Sequence, residues 1–466
     1  MRQKIRERFH IVREGKGQPG QQPGEPVPDP TMQELDAQVR DYRRRTRRRM
    51  IITAAAVILV LVGVFLFINL QTYTSVRTID IYGAEDAGNS SYRQFGNGVL
   101  KYSRDGIVLL DRKGEEVWNQ SYQMQTPTVY EFGDSAVVAD KDGNDMIVVD
   151  EEGLKGEIET TLPIEKAVVS SQGIVAAILN GDSEPRIVCY DAAGNILAEL
   201  DSAMTGNGYP LDIGLSENGE LLMVSYMTVR GGRTVSNIYY YNFGEAGAQA
   251  ENYEVVTDTY EDMIAPTVFF MDENTSVAVG NDRVLIYRGQ DTPALQQTIE
   301  LDKEVKSVCH SSSYIGLVLK NEGEAGYELR LYNKSGSMVM SEKFTGDYSN
   351  IKICGMQVIM YGGTQCSVFT RAGVHKFEGE MDETILEIHS DEYKRDGGCP
   401  VCQVRRKYEL DNHSYRSNLP YMHSCRSVQG SGQDRGLAGG HYCDIYSCVF
   451  PDPLRESGDY GGDASG

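Results

Sequence analysis

The sequence predicts an all-β protein, a seven-bladed or eight-bladed β-propeller, carried outside one N-terminal transmembrane α-helix. Three observations lead there. Residues 51–70 form a charge-free apolar run, the chain switches at residue 76 to short β-branched strands, and one turn phrase then returns seven times.

The apolar run "IITAAAVILVLVGVFLFINL" holds no charged residue over 20 positions. A helix of that length rises about 30 Å, the thickness of a bilayer hydrocarbon core. Directly before it stands "RRRTRRR", with Arg43, Arg44, Arg45, Arg47, Arg48 and Arg49 on one flank. Arginines so placed keep that flank in the cytoplasm and attract anionic lipid headgroups. The run starts 50 residues into the chain and ends in "FINLQTYTSV", without a small-x-small cleavage motif, so an uncleaved anchor is expected. The expected orientation is N-terminus cytoplasmic and C-terminal domain extracellular.

The anchor explains an uneven charge. Residues 1–50 carry 13 basic and 7 acidic side chains, whereas the remainder carries 32 and 60. Phosphate binding needs clustered cations, so the acidic body excludes nucleic acid as its partner. Residues 1–31 read as a basic, Pro- and Gly-rich cytoplasmic tail, with five prolines and three glycines in "GQPGQQPGEPVPDP". Its first stretch, "MRQKIRERFHIV", reads as a solvated basic tail, or as a segment lying on lipid with Ile5, Phe9 and Val12 inward. Residues 32–50 contain neither Pro nor Gly and are expected to be an Arg-rich juxtamembrane helix continuing into the anchor.

From residue 76 to 392 the chain reads as the propeller. Its phrase is an apolar strand, a polar turn and a glycine: "VLLDRKGEEVW", "IVVDEEGLKGEI", "IVCYDAAGNILAEL", "IYYYNFGEA", "VLIYRGQDT", "LRLYNKSGSMVM" and "CSVFTRAGVHKF". The turn glycines are Gly114, Gly153, Gly194, Gly244, Gly289, Gly336 and Gly373, separated by 39, 41, 50, 45, 47 and 37 residues. An Asp or Asn side chain accepts a backbone N–H across such a turn, and Gly supplies the positive φ that tightens it. Each copy follows another apolar strand, such as "SAVVAD" or "GIVAAIL". About four strands in roughly 40–45 residues is the size of a propeller blade.

This pattern, clearest in "LLDRKGEEVW", resembles the pyrroloquinoline-quinone-like repeat of quinoprotein propellers. The layout over residues 40–390 is similar to an uncharacterised family of membrane-anchored propellers, a domain of unknown function, from clostridial bacteria. The resemblance implies the fold and no established function. It also implies a quinoprotein enzyme as one alternative, from which this sequence departs. Enzymatic repeats end mostly in Trp, and here only Trp118 does so, with Ile158, Leu197, Ala248, Leu295, Val339 and Phe377 in the other copies.

Other candidate chemistry has plainer readings. "DKDGNDMIVVDE" places Asp140, Asp142, Asn144 and Glu151 like calcium ligands, but Asp145 stands where that loop requires Gly, so a hairpin tip is expected. Tyr239, Tyr240 and Tyr241 can stack on sugars, but blade packing uses them as well. Cys309 and His310 are adjacent in sequence, whereas nucleophile and base are usually brought together by the fold; His375 is the other main histidine of the blades. No catalytic, cofactor or metal residue is assigned, and no cofactor is expected. Cys189, Cys309, Cys354 and Cys366 are too scattered to form a disulfide framework.

Residues 393–466 read as an irregular Cys- and Gly-rich tail, disordered or frame-shifted, holding Cys399, Cys402, Cys425, Cys443 and Cys448. A zinc module on Cys399, Cys402, His423 and Cys425 is a further reading, weakened because the second pair lacks matching spacing. "ILEIHSDEY" just before the tail looks like a strand that helps close the ring. The expected function is a non-catalytic binding or scaffold module at the bacterial cell envelope, with an envelope protein as partner. A wall-glycan binder is the other alternative. The long segments "MTVRGGRTVSN" and "FGEAGAQAENYEVVTDTYEDM" are the expected contact places.

Overall fold

The structure is a computed structural model. It describes residues 32–73, 75–81, 90–111, 114–181, 184–202, 206–321, 323, 325–346, 348–381, 384–385, 388–390, 400–403 and 406–411. The expectations for residues 1–31 lie outside these. The chain forms two compact units, Met1–Ile68 and Asn69–Gly466.

The Arg-rich segment 32–50 and the apolar run 51–70 belong to one uninterrupted α-helix, Met32–Leu70. No proline breaks it. Arg40–Phe67 contains a window of mean hydropathy 3.0 with none of it buried, so this helix is long and apolar enough to cross a membrane.

The second unit is a seven-bladed β-propeller in which each copy of the phrase builds one blade of four consecutive antiparallel strands. The blades occupy residues 91–121, 127–159, 164–201, 209–261, 267–300, 305–344 and 350–380. Six of the seven turn glycines fall between the third and fourth strands of their blades, and Gly153 opens the fourth strand of blade 2. Just before each of these turns the strand register shifts by one residue, for instance at Leu109/Leu110, Cys189/Tyr190 and Leu331/Tyr332. Each turn therefore combines a bulge with a left-handed glycine, as Gly194 at φ 85° and Gly336 at φ 78° illustrate. The preceding acid or amide acts as expected. Asp191 Oδ1 accepts the N–H groups of Ala193 and Asn195 at 2.9 and 2.8 Å, and Asn333 Oδ1 those of Ser335 and Ser337 at 3.0 and 2.9 Å. Gly244 is the exception without positive φ, because its turn is expanded to residues 243–253.

Each blade buries both faces, which is why its middle strands read as continuous apolar runs. Ala136 and Val138 of blade 2 pack with Leu100 and Ile107 of blade 1, while Val137 and Ala139 pack with Val175 and Ala177 of blade 3. The same alternation continues through blade 7, so every boundary between neighbours holds its own apolar cluster. Fully burying one such aliphatic side chain contributes about 1.5–3 kcal/mol.

An eighth four-stranded sheet joins the two ends of this unit. Its order is Ser75–Ile81, Arg406–Asp411, Pro400–Gln403 and Ile388–Ser390. The strand expected in "ILEIHSDEY" is Ile388–Ser390, and Ile388 packs with Ile359, Tyr361 and Phe377 of blade 7. Two strands, Pro400–Gln403 and Arg406–Asp411, lie past the expected boundary at residue 392, in a segment expected to be irregular. Pairing with Ser75–Ile81 supplies backbone partners that its Gly- and Cys-rich composition does not advertise.

Blade 6 carries the main ionic network among the described residues. Glu328 pairs with Lys303 and Arg330, and its Oε1 accepts the Ser341 hydroxyl at 2.8 Å. The Arg330 guanidinium, then Lys303 and Ser341, hold the Glu328 carboxyl down at about 2 against the cost of burial. A folded value below the unfolded one stabilises the protein above the unfolded pKa, and that contribution disappears as pH falls through the folded pKa. That contribution is lost between about pH 5 and about pH 2. Glu328→Gln should remove this acid sensitivity, so denaturant midpoints should fall more steeply with acid in the wild type than in the variant.

Candidate functional site

The first strands of blades 2, 3, 4 and 5 run side by side in turn, as do those of blades 6 and 7, and so line the propeller axis. Their polar side chains make a relay of contacts across blade boundaries. Arg93 of blade 1 reaches Glu131 of blade 2 at 3.2 Å. Lys166 of blade 3 lies 5.5 Å over the Tyr130 ring of blade 2 and pairs with Asp212 of blade 4. Asp212 Oδ2 also accepts the Val268 N–H of blade 5 at 2.8 Å. Phe269 of blade 5 stacks on His310 of blade 6 at 3.9 Å. The Asp212 side chain is only 4% exposed, so its ammonium and N–H partners are what make its burial tolerable.

The His310 ring keeps solvent access at the end of its strand, while the protein packed around it and the positive charges of Arg93 and Lys166, from blades 1 and 3, lower its pKa. Burial likewise pushes the neighbouring Cys309 thiol up to about 12. Adjacent strand residues point to opposite sides. His310 accordingly meets Phe269 of blade 5, while Cys309 acts electrostatically with Cys354 of blade 7. The fold separates this pair instead of assembling a nucleophile and its base.

The other residues singled out in the sequence also have structural partners. Asp140 Oδ1 accepts the Gln125 and Thr126 N–H groups at 2.9 and 2.7 Å, and Asn144 Nδ2 donates to the Thr160 carbonyl at 2.7 Å. Asp142 sits in the hairpin tip with φ 65°. Trp118 Nε1 donates to the Glu151 carbonyl at 3.2 Å, tying blade 1 to the turn of blade 2. Tyr240 is fully buried, and its hydroxyl lies 2.8 Å from Ser276 Oγ; Tyr239 stacks on Tyr241 at 6.0 Å. Among the described residues no group of three or more His, Cys, Asp or Glu is placed to hold a metal. Of the zinc reading, Cys402 lies in the strand Pro400–Gln403, and Cys399, His423 and Cys425 lie outside the described residues.

The two expected contact segments both belong to blade 4 and are more regular than expected. "MTVRGGRTVSN" is the end of a hairpin, Leu221–Arg230 and Arg233–Asn242, whose ten-residue strands exceed the five to seven of the middle strands elsewhere. Gly231 and Gly232, at φ 60° and 81°, make its two-residue turn, as strand twist demands. Val229 near the tip is 69% exposed. The second segment holds the short 3-10 helix Glu251–Tyr253 and the outer strand Glu254–Glu261. One turn links strands two and three and the other links strands three and four, so they stand at opposite ends of the blade, not together.

These features define a class: a β-propeller in a chain that also has one N-terminal helix long and apolar enough to cross a membrane. The chain belongs to DUF5711, a family of unknown function, whose profile matches residues 69–396. No curated protein sequence matches it. Among solved structures it is similar to BamB from Moraxella catarrhalis, at 11% identity and TM-score 0.43, covering 73% of this chain and 99% of that one. Sqt1 from Chaetomium thermophilum, bound to the N-terminus of ribosomal protein L10, aligns at 11% identity and TM-score 0.47 over 72% and 99%. Apo AztD from Citrobacter koseri aligns at 10% identity and TM-score 0.43 over 64% and 86%.

Proposed function

We propose that the chain is a single-pass membrane protein, N-terminus inside, whose propeller acts outside as a non-catalytic docking or scaffold module for another protein of the bacterial cell envelope. The observation that carries the docking role is the projecting hairpin of blade 4, with Val229 69% exposed at its end. A tip that extends beyond its neighbours and exposes an aliphatic side chain suits protein contact. Six arginines at residues 43–49 support the orientation and an association with anionic headgroups.

The test places a photo-crosslinking amino acid at Val229, with Gln297 on the outer strand of blade 5 as control, in cells carrying terminal epitopes. One dominant envelope-protein adduct from position 229, absent from 297, is the expected result. Protease added to intact cells should remove the C-terminal epitope and spare the N-terminal one. Equal or absent adducts would overturn the docking role, and the reverse protease pattern would overturn the orientation.

A further inference from the structure

The boundary between blades 6 and 7 differs from that between blades 1 and 2. At the first boundary the Trp118 indole lies against the next turn, and a Cβ on Gly153 would stand 4.0 Å from its ring. At the later boundary Met340 stands at the position of Trp118, its Cγ 3.6 Å from where a Cβ on Gly373 would be, and Glu342, two residues further along the strand, brings its carboxylate to 2.7 Å. The turn of blade 7 thus meets a thioether and carboxylate oxygens where that of blade 2 meets a large ring. Beside it lies a cleft of about 400 Å³, a volume within the range of small-molecule sites.

The cleft joins two kinds of surface. Phe344 on the blade 6 side is braced by Tyr327 and Tyr348, each 5.7 Å away. On the blade 7 side the His375 ring stacks on Phe369 at 4.6 Å with 22° between planes. Both flat groups are thus held before any ligand arrives. Around them stand the carboxylates of Glu342 and Glu378 and the buried Ser367 hydroxyl. Asn321 also lines it, its side-chain oxygen accepting from the Lys303 ammonium at 2.8 Å.

We infer that this cleft is a carbohydrate site for one or two neutral pyranose rings. A pyranose offers an apolar C–H face to an aromatic ring and a rim of hydroxyl donors to carboxylate acceptors, and the cleft presents both. Among the described residues lining the cleft, the carboxylates of Glu342 and Glu378 against the Lys343 ammonium disfavour phosphorylated or uronic sugars. The arrangement binds rather than relays protons. Ser367 Oγ and Glu378 Oε2 approach the same imidazole nitrogen, Nε2, at 3.3 and 3.8 Å, whereas a relay uses both ring nitrogens. This inference does not depend on which side of the membrane the propeller occupies or on the docking role of blade 4.

Calorimetry on the full chain in detergent, with tri-N-acetylchitotriose and maltotriose as probes, tests it. Saturable binding of either sugar is expected, with Phe344→Ala and Glu378→Gln each weakening it about tenfold, the size of one lost contact. Glu342→Gln, which keeps the side-chain shape, should weaken it too without moving the melting temperature. Trp118→Phe should leave affinity unchanged. No heat from either sugar at millimolar concentration, or wild-type affinity in the three cleft variants, would overturn the site. So would salt-sensitive binding of hexalysine in place of both sugars, which would mark the cleft as a cation site.

Discussion

A chain ending at residue 399 should melt on the order of 10 °C lower than the full chain, because it lacks Pro400–Gln403 and Arg406–Asp411. Those two strands are what join Ser75–Ile81 to Ile388–Ser390 in the eighth sheet. Without them Ser75–Ile81 has no pairing strand, and the exposed backbone of the sheet must find water or another chain. Limited proteolysis should accordingly cut first near the two ends of the propeller unit, before the turns of blades 2 to 6. A truncated chain that melts and resists protease like the full one would show that the eighth sheet does not hold the unit together.

Asp212→Ala should lose about 3–5 kcal/mol of unfolding free energy, the range for removing one partner of a buried ion pair. The variant leaves the Lys166 ammonium and the Val268 N–H without their shared acceptor, at the point where blades 3, 4 and 5 meet. Adding Lys166→Met should recover part of the loss, since an uncompensated charge costs more than a missing pair. Guanidinium unfolding of the two single variants and the double variant measures the coupling. If Asp212→Ala alone falls within about 0.5 kcal/mol of wild type, as ordinary surface substitutions do, the relay around the axis contributes nothing to stability.

The blades were legible because their signal is local. An Asp or Asn, a glycine and a flanking strand lie within a few residues, and Gly114, Gly194 and Gly336 adopt the positive φ that the phrase implies. The continuous apolar character of "SAVVAD" is likewise a direct trace of a strand buried on both faces. The relay was not legible, because Lys166 and Asp212 are 46 residues apart, about one repeat, and nothing in either segment names the other. Blade 4 was half legible. Its extra length was plain, but Gly-Gly in "VRGGRT" signals a tight hairpin turn, not a loop, and strand direction then sends the two long segments to opposite ends. The eighth sheet drew its strands from both ends of the unit, so no single stretch of sequence carried its period.

The register of that closing sheet also fixes how the molecule answers to mechanical load. Ser75 pairs with Asp411 and Ile81 with Arg406, so the residue where the chain enters the sheet from the helix side and the residue where it leaves toward the C-terminus are direct neighbours. Tension between the N-terminal helix and anything gripping the chain beyond Asp411 therefore acts on one pair of residues at a time. The two strands peel apart from Ser75 and Asp411 like a zip, instead of sliding past each other with all their hydrogen bonds loaded at once. The propeller thus has a release point that opens before its seven internal blades come under load.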